Sequence, residues 1–241
     1  MESALGNFTA YNTRFAMPST ESGGTANLWY SYNYGPIHCI NINTESDFPG
    51  APEESMGGIP LGKFGDQLKW LERDLEQAQQ DRYQRPWIAV FGHRPIYAQS
   101  SDTTNNNGIP IGYAKKLQKW LEPLFAKYAV DFYFAGHKHR YERQFPVFNS
   151  TRYMTEGSTV QRYIEPKFTT HIVTGAGGNE ELHAKVSAAR VADAAEWAAV
   201  FDDANYGVGF LHIVSRTNLR WEYRSVDGNT LDTLDIVKRQ T

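Results

Sequence analysis

Hydrophobic positions along the chain change their period several times, and each change predicts an element. In "GDQLKWLERDLEQAQQ", Leu68, Leu71, Leu75 and Ala78 recur at three-four spacing, which predicts a helix with one apolar face. Asp66 stands at its start, where the positive end of a helix favours a carboxylate. "YAKKLQKWLEPLFAKYA" repeats the pattern through Leu117, Leu121, Leu124 and Tyr128. "PWIAVFG" and "VDFYFAG" are short unbroken apolar runs, the mark of strands buried on both faces. From residue 66 to 135 the order is therefore helix, strand, loop, helix, strand, which implies parallel β-α-β units. Before it, "NLWYSYNY" and "IHCININ" flank Gly35-Pro36 and predict a β-hairpin. After residue 143, "THIVTGAGGNEE" predicts a strand entering a glycine loop. The alanine-rich stretch 184–201 predicts a helix. "GFLHIVSR", "LRWEYRS" and "TLDTLDIVK" predict closing strands, the last two joined at Val226–Asn229. Residues 1–26, 46–62 and 98–111 are expected to be loop.

These elements add up to an α/β chain of α+β character. The 241 residues suit one domain, with a hairpin and helix–strand alternation over 27–135 and a second sheet over 143–241. Net charge is −3 with no basic block, which argues against nucleic-acid binding. No apolar run reaches the roughly 18 residues of a membrane span. The start "MESALGNFTAY" lacks the basic and apolar parts of a signal peptide. Cys39 is the only cysteine, so no internal disulfide and no thiolate cluster can form, and it is read as a core residue. Asn7 and Asn149 begin Asn-X-Thr sequons.

The candidate chemistry lies where two buried strands end. "VFGHRP" and "FAGHKHRYER" both place Gly-His just past an apolar run, at His93 and His137, with His139 two residues on. Sites in open α/β sheets form beyond the carboxyl ends of strands, and one crossover separates the two motifs. Glycine there would allow a sharp turn and room for an ion. In an extended segment His137 and His139 share a face; in a turn they diverge toward two ions. Neutral imidazole suits Zn, Fe, Mn or Ni. Spacing alone leaves both a metal site and structural histidines open.

The two motifs resemble the last metal motifs of the purple acid phosphatases, members of the calcineurin-like metallophosphoesterases. "NFTAYNTRFAMP", "NLWYSYNYGPIHCININTESDFP", "VTGAGGNEE" and the tail from Gly207 also resemble the family, especially its fungal-type members. The resemblance covers nearly the whole chain. It implies a metallophosphoesterase β-sandwich flanked by helices, with His93 and His137 on one metal and His139 on the other. It implies a binuclear centre of Fe with Fe, Zn or Mn, phosphate monoesters as substrate, and a secreted protein. The family's three earlier ligand motifs, Gly-Asp, Gly-Asp-X-X-Tyr and Gly-Asn-His-Glu, are not found. Gly65-Asp66 is the one Gly-Asp, and it opens a helix.

The expectation is therefore the C-terminal portion of a catalytic domain, lacking the bridging aspartate, the tyrosine and the asparagine with their strands. Such a chain should be inactive or weak alone. Its uncovered sheet edge should accept a missing N-terminal segment or a second copy as a homo-oligomer. The rival readings are a non-catalytic truncated relative kept for binding or assembly, and a phosphodiesterase of the same superfamily. The plant-type histidine pair of the loop after the first Gly-His is also missing. Asp102 in that loop is a candidate acid or a solvated residue. Arg94 and Arg143 are candidates to meet phosphate, with Arg143 otherwise holding the loop through Glu or backbone partners. His183 borders the glycine loop as a second candidate. His38, His171 and His212 are read as structural.

Overall fold

Alternation along strands buried on both faces divides the protein into two cores that share one sheet. The structure, a computed structural model, describes residues 9–51, 63–178 and 194–239. Helix α1 (Thr9–Arg14) precedes strands β1 (Tyr30–Tyr34) and β2 (Ile37–Asn41). Helix α2 (Gln67–Gln80), strand β3 (Trp87–Gly92), helix α3 (Gly112–Lys127) and strand β4 (Phe132–Ala135) follow. Next come β5 (Tyr141–Gln144), β6 (Val147–Phe148), β7 (Thr151–Arg152), β8 (Arg162–Ile164) and β9 (Thr170–Thr174). Strands β10 (Ala198–Asp202), β11 (Gly207–Ile213), β12 (Asn218–Ser225) and β13 (Thr230–Val237) complete the order.

The large sheet runs β1-β2-β3-β4-β9-β5-β10, with β2, β3, β4 and β9 parallel. The second sheet runs β11-β12-β13-β8. In β3, Ile88 and Val90 face α2 and α3, while Trp87 and Ala89 face the second sheet. In β4, Tyr133 and Ala135 take the helix side, and Phe132 and Phe134 the other. Leu71 and Leu75 of α2, with Leu117, Leu121 and Phe125 of α3, cover the first face. Leu219, Trp221, Tyr223, Leu234 and Ile236 cover the second. Each such side chain contributes about 1.5–3 kcal/mol on burial. Asp66 caps α2, its carboxylate accepting from the Lys69 N–H at 3.1 Å.

The two sheets are joined by a buried ion pair. Arg143 of β5 donates through Nε and Nη2 to the Asp232 carboxylate of β13, at 2.6 and 2.9 Å. Tyr141 donates to the same carboxylate at 2.6 Å, and Trp221 Nε1 donates to Tyr141 at 2.8 Å. The remaining arginine donors reach the Val160 carbonyl and the Tyr163 hydroxyl. Removing one partner of such a pair strands a buried charge, at about 3–5 kcal/mol.

Several expectations change. Within 184–201, residues 184–193 lie outside the described residues, and Ala198–Asp202 is strand β10, antiparallel to β5. Pairing at the sheet edge overrides the helical preference of alanine, which is a weak prior. Residues 1–26 contain α1. Strand β5 was not expected, because Glu142, Arg143 and Gln144 are polar yet buried. Strand β11 ends the second sheet, and its Val208 and Phe210 are exposed. Beside it the sheets part around a cavity of about 570 Å³ lined by Phe91, Phe134, Leu211 and Trp221.

His38 is structural: its ring bonds the buried Asp74 of α2 at 2.8 Å and Asn33 at 2.7 Å. His212 lies at the surface on β11, 3.9 Å from Glu222. His171 of β9 is fully buried between the rings of Tyr97 and Tyr133, and neither ring nitrogen has a hydrogen-bond partner. Burial pushes its pKa down to about 3. Above the ordinary histidine value of 6.5, both folded and unfolded chains hold this ring neutral, and its contribution to stability is complete. As pH falls from there toward 3, the unfolded chain takes up a proton that the folded chain refuses, and stability is lost. The loss should reach about 3 kcal/mol at pH 4. Urea unfolding of a His171→Phe variant at pH 7 and pH 4 should show a smaller acid loss than the wild type. An equal loss in both proteins would assign the acid sensitivity to other groups.

Candidate metal centre

Parallel pairing brings the ends of β2, β3 and β4 to one rim. Gly92 pairs with Ala135, so His93 and Gly136 leave the sheet side by side, and the Gly136 N–H donates to the His93 carbonyl at 3.0 Å. The two rings meet edge to face with centroids 5.0 Å apart. His93 Nε2 lies 3.2 Å from His137 Nδ1. Two imidazole nitrogens on one tetrahedral ion stand about 3.3 Å apart, given metal–nitrogen bonds of about 2.0–2.1 Å. His93 and His137 therefore fit two positions on a single ion. His139 lies near enough to act electrostatically on His93. Among the described residues, no three His, Cys, Asp or Glu side chains converge to close a metal site.

The glycines work differently from expectation. Neither turns through the left-handed region; His137 itself does, at φ +63°. The segment His137–Arg140 is a chain of bends and not an extended strand. Gly92 is required by crowding, since a Cβ there would lie 2.6 Å from Tyr133 Oη and 2.8 Å from Thr44 Cγ2. Gly175, after β9, is tighter still: a Cβ would lie 2.1 Å from the Lys138 carbonyl oxygen. Tyr133 donates to the Arg94 carbonyl at 2.6 Å, and the Arg94 N–H donates to Thr44 Oγ1 at 3.0 Å. These bonds hold the His93 loop.

Both histidines are kept neutral. Burial pushes His137 down to about 4, with the charges of Arg94 and Lys138 adding. Burial also lowers His93, with Arg94 and His139 adding and Glu45 opposing. Neutral imidazole is the form that binds metal.

Two cations flank the histidines, each with its own carboxylate. Arg94 Nε donates to Glu45 at 2.7 Å, its Nη1 lies 3.2 Å from His137 Nε2, and its guanidinium sits 4.5 Å above the Tyr113 ring. Lys138 Nζ donates to Asp102 at 2.6 Å. Arg94 is thus at the rim, as a phosphate-facing residue would be. Arg143 is not: it is fully buried between the sheets, its carboxylate partner is Asp232, and it cannot reach a ligand at the rim. The glutamate expected for it belongs to Arg140, which binds Glu142. Asp102 does not suit an acid role. Burial alone would raise its carboxyl, but hydrogen bonds from Lys138 and Ser100 outweigh this and hold it well below the usual range. His183 and Asn7 lie outside the described residues. Asn149 is exposed at the β6–β7 turn, where it and Ser150 have φ of +49° and +64°. Glu45 and Lys138 were missed as site residues. The signal for Glu45 was available in its place just after a strand, once that strand is known to run parallel to β3.

The chain resembles known proteins over most of its length. The chain matches the calcineurin-like phosphoesterase family over residues 3–141 and the iron/zinc purple acid phosphatase-like protein C family over residues 168–233. It is 33% identical to an acid phosphatase of Aspergillus ficuum, over 96% of this chain and 41% of that protein. The structure is similar to purple acid phosphatase PPD1 from yellow lupin seeds, with a TM-score of 0.71 and 24% identity, covering 98% of this chain and 38% of that one. It is also similar to GAP50, the anchor in the inner membrane complex of Plasmodium, with a TM-score of 0.55 and 16% identity, over 88% and 55%. The chain spans between 41% and 51% of the length of the first curated relatives it matches.

The crowding at Gly175 has a direct test. Gly175→Ala should cost about 1–3 kcal/mol in urea unfolding and weaken zinc binding, because the added methyl pushes the Lys138 backbone between two histidines. Gly177→Ala, which meets no atom within 4 Å, should do neither. Equal behaviour of the two variants would show that the contact does not shape the site.

Proposed function

The chain belongs to the calcineurin-like phosphoesterases, and we propose that it carries the histidine half of an acid phosphatase site that hydrolyses phosphate monoesters. The observation that carries this reading is the 3.2 Å approach of His93 Nε2 and His137 Nδ1 at neighbouring ends of parallel strands. The fit of two nitrogens to one ion supports metal dependence. The resemblance argues for a binuclear centre of Fe with Fe, Zn or Mn. Such a centre supplies Lewis acidity and an activated nucleophile when bound. His93 and His137 would hold one ion and His139 the other. Arg94 would meet phosphoryl oxygens with the donors that Glu45 leaves free, in a fork suited to that geometry. Glu45 would fix the guanidinium against the Tyr113 ring. Tyr133 and Thr44 would keep the His93 loop from shifting as ligand enters.

A second reading is favoured by one observation: among the described residues, no third ligand completes the site. In it, the chain is a non-catalytic relative that binds or assembles with another polypeptide, and the open β11 edge is where it would do so.

Hydrolysis of p-nitrophenyl phosphate by the metal-reconstituted chain tests the first reading. Weak activity, as suits half of a ligand set, lost in His137→Ala and with little action on the corresponding diester, is the expected result. A folded chain that binds metal and releases no phosphate would favour the second.

Secretion and glycosylation form part of the acid phosphatase reading. The exposed Asn149 supports the latter, since a sequon must lie at the surface to keep its glycan. Peptide mass analysis of protein secreted from a eukaryotic host should find a glycan on Asn149 that Thr151→Ala removes. A bare Asn149 would refute it.

A further inference from the structure

We propose that Asp102 holds, in the resting chain, the position on Lys138 that a phosphoryl group takes when it binds. This rests on the phosphoryl-site reading above. Lys138 stands between His137 and His139, and its side chain is 10% exposed. Its carboxylate partner is 63% exposed and comes from the loop after His93. A nearly buried cation thus faces an anion that solvent, or a ligand, can replace. Both Lys138 and Asp102 act on His137 electrostatically, so the pair lies within reach of charge at the metal position. Glu45 is placed differently: it grips an arginine whose plane is stacked on Tyr113.

The loop is built for such an exchange. Its base is pinned, because Glu142 accepts the Gln99 N–H at 2.9 Å while Arg140 holds Glu142. Beyond that base, Asp102 is bonded by Lys138 and by its near neighbours Ser100 and Thr103. A phosphate group brings more charge and more acceptors than a carboxylate, so it competes well for an ammonium. Asp102 is then an internal competitor. It keeps Lys138 satisfied in the free chain and raises the ligand concentration needed to fill the site.

Titration of the full chain with inorganic phosphate, followed by ³¹P NMR, decides the matter. Asp102→Asn should tighten phosphate binding about three- to fivefold, the scale of a partly exposed ion pair. Lys138→Met should weaken it about tenfold, and Lys138→Arg, which keeps the charge, should retain it. In the Lys138→Met background, Asp102→Asn should add nothing. The proposal is overturned if Asp102→Asn leaves binding unchanged or weakens it, or tightens it without Lys138. It is equally overturned if the wild type binds no phosphate. Binding needs no turnover. A chain that binds phosphate through Lys138 yet hydrolyses no monoester would refute the functional reading and leave this one standing.

Discussion

The bidentate bond between Arg143 and Asp232 is the constraint on which the rest depends. It is buried between the sheets, and its charges are acceptable there because each is met by several partners. It also sets the facing of β5. With Arg143 and Tyr141 turned toward the second sheet, Glu142 and Gln144 must turn the other way. Glu142 then receives Arg140 and the start of the loop after His93. The strand that joins the sheets thus also anchors the base of the candidate site, and it begins two residues after His139.

The polar groups at the rim follow one rule. Three carboxylates at the rim are each matched to a cation: Glu45 to Arg94, Asp102 to Lys138, Glu142 to Arg140. These three are engaged by their cations, while two imidazoles are held neutral and close together. The rim is therefore a nitrogen-rich, cation-flanked surface, better suited to receiving an anionic ligand than to enclosing a metal unaided.

Much of this was legible in the residues. Helices α2 and α3 announced themselves by period, and β3 and β4 by unbroken apolar runs. Their alternation implied parallel order, which placed His93 and His137 together. The C-terminal strands were read from their own alternation and turn. What escaped were elements whose burial is polar. Glu142, Arg143 and Gln144 carry no apolar signal, and nothing local reveals an aspartate some 90 positions away. Strand β10 escaped because its alanines favour helix until an edge offers them hydrogen bonds. The left-handed turn fell on His137 and not on the glycine before it, a detail set by tertiary packing.

The two cores also separate what the chain must keep from what it can lose. Apolar positions on β3 and β4 point into one core or the other, whereas the histidines begin only where those strands have ended. Selection on folding and selection on chemistry therefore act on different positions, although these are adjacent in sequence. A lineage could exchange His93, His137 or His139 without opening a void in either core. Insertions within β3 would be purged, since a shift of one residue turns every side chain to the opposite face. Descent on this scaffold should then be marked by point replacement at the rim and by fixed strand lengths beneath it.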